Sequence, residues 1–261
     1  MKGQSGAEVF PYGHLLWEMT RGEVLLRDQG TALGFLWTLL HPALMFAVLY
    51  GVFARWVAKA VDGYVLYLLT GLFLWNFFQK ATSYALGSFK RARGTVLNYR
   101  FPREIVVLSA VGAVLWSSLM ELVVLLVAAA FLGQTPRVSW LLLPVILAVE
   151  LELALGVGLF LAVGAVEFQD VERIWEVLCA ALFYLTPVFY PMAALSPRLQ
   201  ALLRFNPLVL VLELFRAGLT SAGSFSAGRL VGVALGGALL SAAGVALVRL
   251  RQFPLADKLL V

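Results

Sequence analysis

The sequence is poor in charge. Asp, Glu, Lys and Arg make up 13% of its 261 residues, while 61% are hydrophobic and the mean hydropathy is +0.89. A soluble domain carries roughly 25% charged residues. So little polar surface cannot cover a water-soluble globule, and the chain reads as an integral membrane protein. Cysteine is almost missing as well. Cys179 is alone, which excludes an intrachain disulfide. His14 and His41 stand far apart, so no Cys/His cluster has metal-ligand spacing. No G-x-x-x-x-G-K-[ST] stretch is present, which excludes P-loop binding of ATP by this chain alone. G-x-S-x-G and H-E-x-x-H are absent too. Residues 1–30 contain no apolar signal-peptide core, because Glu8, Glu18, Arg21, Glu23, Arg27 and Asp28 interrupt it. The first span is therefore expected to act as an uncleaved anchor.

What charge there is falls in one place above all. Lys90, Arg91, Arg93, Arg100 and Arg103 form the most basic block, between two long apolar runs. Such residues enter hydrocarbon only at high cost, so the block is an aqueous loop. Val96, Leu97, Tyr99 and Phe101 place apolar and aromatic groups among the charges, and Pro102 punctuates them. A basic loop of this kind serves either as a positive-inside anchor on anionic headgroups or as a docking helix for a cytoplasmic partner. The net charge of +5 is not a nucleic-acid signal, because the basic residues cluster at the ends of apolar runs.

The periodicity predicts an all-α membrane protein with a single domain over 1–261. Residues 10–29 are too charged to span. Leu15, Leu16, Met19 and Glu23 recur at helical spacing beside Trp17, which predicts an amphipathic interfacial helix. Six spans are expected, at about 31–56, 64–89, 105–132, 140–166, 174–190 and 227–250. Pro42 should kink the first and Thr186-Pro187 should break the fifth. Lys80 is expected to snorkel. Residues 192–226 read as two half-helices dipping in from the outer side, which lipid tolerates only under cover of protein or water. Gly156, Gly158 and Gly164, and then Gly228, Gly232 and Gly236, predict close helix packing.

Six spans put both termini on one side. If that side is the cytoplasm, Arg55, Lys59, Arg137, Arg198, Arg204, Arg216 and Arg229 lie outside, and every other Lys and Arg except Lys80 lies inside. The inner excess supports this orientation. Glu121, Glu150 and Glu152 are the intramembrane acid–base candidates. Interhelical hydrogen bonds are the plainer use for them, since Glu150 and Glu152 are two apart and point to different faces.

Seven short motifs then fall in order along the chain. They are the 27–42 run with Arg27, Leu33-Gly34, Trp37 and Pro42; Gly71-Leu72-Phe73-Leu74-Trp75-Asn76-Phe77-Phe78; Phe101-Pro102-Arg103-Glu104; Gln169-Asp170-Val171; Thr186-Pro187-Val188-Phe189-Tyr190-Pro191; Asn206-Pro207; and the 253–259 tail. Together they resemble the ABC-type polysaccharide and teichoic-acid export permeases. Two departures stand out. Asp28 replaces an aromatic after Arg27, and Gln169 replaces an Arg before Asp170.

The resemblance implies a homodimer of six-span subunits in the cytoplasmic membrane, each subunit partnered by a soluble ABC ATPase. ATP and Mg would bind that partner, and this chain would carry no cofactor, catalytic residue or metal of its own. The resemblance makes 91–104 a coupling helix for the ATPase, with Leu97, Asn98, Tyr99, Arg100, Phe101, Pro102, Arg103 and Glu104 as its contact set. It makes 10–29 a gate helix carrying Leu15, Leu16, Trp17, Met19 and Arg27. The first and fifth spans would line the path of a lipid-linked polysaccharide. Aromatic faces stack on the C–H faces of sugars. Phe46, Tyr50, Phe53, Tyr184, Phe189 and Tyr190 are therefore the path candidates. The alternatives are a permease for a small drug or lipid, and a membrane enzyme built on the three glutamates.

Overall fold

The computed structural model describes residues 12–28, 36–220 and 226–260, without the side chains of 27, 28, 38 and 252–260. Helices dominate these residues, and there is no strand among them. In chain order the helices are α1 (Tyr12–Asp28), α2 (Leu36–Val57), α3 (Tyr64–Leu86), α4 (Ser88–Arg91), α5 (Arg93–Asn98) and α6 (Glu104–Phe131). They continue with α7 (Leu143–Glu167), α8 (Val171–Leu185), α9 (Pro197–Leu203), α10 (Pro207–Thr220) and α11 (Ala227–Leu260).

Four stretches among the described residues are long and apolar enough to cross a membrane: Leu39–Val57, Glu104–Phe131, Val138–Glu167 and Ala227–Arg251. The other two expected spans correspond to α3 and α8. The 23 residues of α3 include Thr70, Asn76, Gln79 and Lys80, which lower its hydropathy. It can carry them because it is the central helix. It touches α2, α4, α6, α7, α8 and α10, and its residues from Thr70 to Phe78 are all buried. A helix enclosed by other helices meets little lipid, so its composition answers to packing. The 15 residues of α8 fall short of the roughly 20 that a full span needs. It stops at Leu185 because Pro187 follows two residues later.

Other boundaries shift for local reasons. Gly87 divides the expected second span into α3 and the short α4. The 192–226 region contains α9 and α10, both opened by proline, with Asn206 Oδ1 accepting the Leu208 N–H at the start of α10. The expected short tail is instead a continuation of α11 to Leu260.

Only some of the predicted glycine contacts are made within the chain. A Cβ on Gly158 would lie 2.6 Å from Ala85 Cβ on α3, and one on Gly156 would lie 2.8 Å from Leu240 on α11. At Gly164 the nearest atom is 3.6 Å away, an ordinary contact. The Gly228, Gly232 and Gly236 stripe does not pack as expected: a Cβ on any of the three would meet no other part of the described residues within 4 Å. The four-residue spacing is present, but it faces away from the bundle. The tight glycine of α11 is Gly244, where a Cβ would meet Leu159 Cβ at 2.7 Å.

These contacts separate two substitutions that look alike in sequence. Gly158→Ala should destabilise the purified protein by about 1–3 kcal/mol through overpacking. Gly232→Ala should leave it unchanged or slightly raise it, because Ala is the better helix former. Thermal melting in detergent checks both.

Candidate functional site

At one end of the bundle, α4, α5 and the segment 99–103 form the basic block. The expected coupling helix is only partly helical. It is regular over Arg93–Asn98 and then extended from Tyr99, with α6 starting at Glu104. Pro102 denies the helix a continuation through this stretch. Val96 is buried and roots α5 in the core, with Leu97 and Phe101 packed beside it. Asn98, Tyr99 and Arg100 point outward, and Tyr99 is 66% exposed. Arg103 lies 5.2 Å over the Phe101 ring and donates to the Tyr99 carbonyl at 3.2 Å. Partial burial pulls its guanidinium down from the usual range. Pro102 is half-buried.

Glu104 turns the other way. It is buried and accepts from Arg249 on α11 at 2.6 and 2.8 Å. It fixes the segment to the bundle and faces α11 instead of an open surface. Arg251 pairs with Glu167 at 3.0 Å close by. Asp170, next to the substituted Gln169, starts α8.

Helix α1 packs along α6. Its inner face carries Leu15, Leu16, Met19, Thr20 and Glu23, while Trp17, Leu25 and Leu26 stay exposed. The sequence reading missed how α1 is held. Glu23 is 9% exposed, accepts from the Tyr84 hydroxyl at 2.6 Å and lies 3.5 Å from Arg91. Arg91 in turn covers the Tyr84 ring at 3.7 Å and donates to the Tyr84 carbonyl at 2.8 Å. The gate-helix candidate and the base of the basic block therefore share one ion-paired knot. The Arg27 side chain, the 29–35 part of the first motif, residues 221–225 and the side chains of the tail motif lie outside the described residues.

The path candidates gather at the opposite end. Phe46 stacks on Tyr50 at 5.4 Å, and Phe53 lies 4.8 Å from Phe189. Phe189 also meets Tyr190 at 5.0 Å and Tyr184 at 6.2 Å. The stack runs on from Tyr50 to Tyr64 and then to Tyr67, two residues that the sequence reading passed over. Tyr50 and Tyr184 keep 38% and 66% of their surface exposed, whereas Phe189 is buried.

The broken end of α8 organises this cluster. Its carbonyls at Pro187, Val188, Phe189 and Tyr190 have no helix to bond to. Arg216 of α10 donates to Pro187 at 3.0 Å and to Val188 at 2.8 Å, Tyr64 donates to Phe189 at 3.0 Å, and Tyr67 donates to Tyr190 at 2.8 Å. Arg216 also lies 3.4 Å over the Tyr67 ring and bonds the Tyr67 carbonyl at 3.0 Å. Gly71 makes the approach possible, since a Cβ there would meet the Val188 carbonyl oxygen at 2.3 Å. The sequence tally counts Arg216 among the outer charges. It is 8% exposed and works inside the protein. The sequence signal was available: a lone Arg within an apolar stretch needs a buried set of acceptors.

The intramembrane charges behave as structural groups. Lys80 does not snorkel; its Nζ lies 2.8 Å from Glu121 Oε1. Glu152 is half-buried beside Gly237 of α11. Glu150 is buried, and its Oε2 has no hydrogen-bond partner among the described residues. The three acids do not cluster among the described residues: Glu121 faces the space between α2, α3 and α6, whereas Glu152 lies against α11.

The sequence profile of the ABC-2 type transporter family matches residues 14–220, from α1 to the end of α10. The chain belongs to the ABC-2 type transporter family. It is thus a multi-pass membrane permease, as the seven motifs suggested. It is 27% identical over 212 residues to the O-antigen export system permease protein RfbA of Myxococcus xanthus, covering 80% of this chain and 82% of that one. The polysialic acid transport protein KpsM of Escherichia coli is 24% identical over 200 residues, 74% of this chain and 76% of its own. The capsule polysaccharide export inner-membrane protein CtrC of Neisseria meningitidis is 25% identical over 207 residues, 75% of each.

Arg216→Leu would strand several carbonyls in a buried place, each costing about 1–3 kcal/mol when left unpaired. The variant should melt well below the wild type, and the 186–190 segment should become open to limited proteolysis. Equal protease resistance would contradict the bracing role.

Proposed function

We propose that this chain is the membrane permease of an ATP-driven exporter that carries a lipid-linked polysaccharide of O-antigen or capsule type out across the cytoplasmic membrane. The observation that carries this reading is the similarity, over about three quarters or more of both chains, to permeases named for O-antigen, polysialic acid and capsule export. A teichoic-acid cargo has the same chemical logic, a repetitive polar polymer on a lipid carrier. In this reading a separate ABC ATPase subunit binds ATP and Mg, in keeping with the lack of a P-loop in this sequence.

In this reading the subunit has six spans, with α3 and α8 as the two that composition and length leave out, and α9 and α10 enter from the outer side. Both termini are cytoplasmic. The inner face then holds α1 and the basic block, and the ATPase receives Asn98, Tyr99 and Arg100 at the tip of the 97–104 segment. Phe101 and Arg103 stiffen that tip from behind. ATP-driven closure of two ATPase copies pushes the tip, and the packed helices shift as rigid bodies. The knot at Glu23 passes the same movement to α1.

Two permease copies fit the exposed faces. The Leu39–Val57 window of α2 buries none of its residues within the chain, and α8 buries only Trp175, Cys179 and Phe183. A second copy facing these two helices encloses a route lined by Phe46, Tyr50, Phe53 and Tyr184. Weak repeated stacking on sugar rings lets a polymer advance without being trapped.

Deleting the gene should abolish surface polysaccharide and leave lipid-linked polymer inside the cell, and the wild-type gene should restore export. Unchanged surface polymer after deletion would refute the reading. Tyr99→Ala with Arg100→Ala should lower export at least tenfold, a loss of about 1.4 kcal/mol or more in coupling, while the protein still reaches the membrane. Export at the wild-type rate would remove the tip from the coupling surface.

A further inference from the structure

Beside the aromatic cluster, at the same end of the bundle, lies a cavity of about 740 Å³. Its floor is made by Tyr64, Tyr67, Thr70 and Arg216, and its rim carries Asp62 and Gln134. Tyr50 is a shared wall, because it lines the cavity and also stacks on Phe46 of α2. Gly63, left-handed at φ 66°, turns the chain into α3 at the rim, a backbone state that other residues enter only at a cost. The volume lies within the roughly 300–1,000 Å³ of small-ligand sites.

The lining selects the kind of ligand. A second cavity, of about 280 Å³ between α2, α3 and α6, has Glu121 as its one charged residue among apolar side chains such as Leu72 and Phe73, which suits hydrocarbon. The larger cavity combines three tyrosines with a carboxylate, an amide and two threonine hydroxyls. The hydroxyls of Tyr64 and Tyr67 are already committed to the 187–190 carbonyls; Tyr64 is buried and Tyr67 lies under Arg216, so the open aromatic face is that of Tyr50, 38% exposed. Arg216 is held by Thr70, Tyr67, Pro187 and Val188, so it keeps the floor rigid. Asp62 is exposed at the rim and Gln134 is half-buried there. A carboxylate accepts two hydroxyl protons from neighbouring positions, and an amide both donates and accepts. The aromatic face of Tyr50 next to such planar polar groups matches a sugar ring, apolar on its faces and hydroxylated at its edge.

We infer that this cavity is a holding site for a short stretch of sugar from the exported polymer, set to the side of the route between α2 and α8. The inference rests on the polysaccharide reading and adds to it a defined place where the emerging chain pauses. Tyr50 links the two, since a ring leaving Phe46 and Tyr50 has the cavity as its next aromatic neighbour.

The test uses the permease with its ATPase in lipid nanodiscs. The probe is a set of short, radiolabelled oligosaccharides made by partial acid hydrolysis of the producing strain's own surface polysaccharide. Equilibrium dialysis should give binding that Asp62→Ala with Gln134→Ala weakens at least tenfold. Leu132→Trp, which fills the mouth without removing a polar group, should weaken it as much. Melting curves matching the wild type show that both variants are folded. Wild-type affinity in both variants overturns the site, as does a wild-type complex that exports polymer in cells but binds none of the oligosaccharides. A wild-type complex that exports no polysaccharide at all overturns the underlying reading of cargo instead.

Discussion

Four successive backbone carbonyls, at 187–190, depend on side chains from two other helices. Hydrocarbon offers no water to satisfy such groups, and each one left bare costs free energy. A helix can therefore stop inside a membrane protein only where something else supplies donors. Arg216 supplies two of them, and Tyr64 and Tyr67 supply the rest. This requirement explains why α3 is polar and aromatic when its neighbours are plain. It is the helix that braces the break, so Thr70, Gly71 and two tyrosines outrank hydropathy at those positions. The aromatic cluster is a by-product of the same brace, because the rings that point hydroxyls at the 187–190 segment also lie in one array.

The basic end obeys a different rule. There water is at hand, and the charges are sorted by partner. Arg91, Glu104 and Arg249 are spent on the protein itself, while Arg100 and Tyr99 are left outside. A count of positive residues cannot make that division. Burial and geometry make it, and they reduce a broad basic block to a tip a few residues long.

The sequence displayed the helical class, the break at Thr186-Pro187 and the family motifs, because proline, apolar runs and short fingerprints act locally. It did not display what depends on the neighbours of a residue. Lys80 looked like a snorkelling lysine until Glu121 was found across the helix pair. Arg216 counts among the outer charges in sequence, and although its apolar surroundings call for buried acceptors, nothing local says that these are the 187–188 carbonyls. The glycine repeat of α11 was legible as spacing, yet spacing carries no direction, and the packed face holds Gly237 and Gly244 instead.

The length of α11 has a consequence of its own. Its 34 residues extend to about 51 Å, against a hydrocarbon layer of about 30 Å. Near its far end, Arg249 and Arg251 grip the starts and ends of two other helices through Glu104 and Glu167. The helix is thus a strut tied to the start of α6 and the end of α7. A thinner bilayer obliges such a strut to lean further, and the loops tied to it must follow.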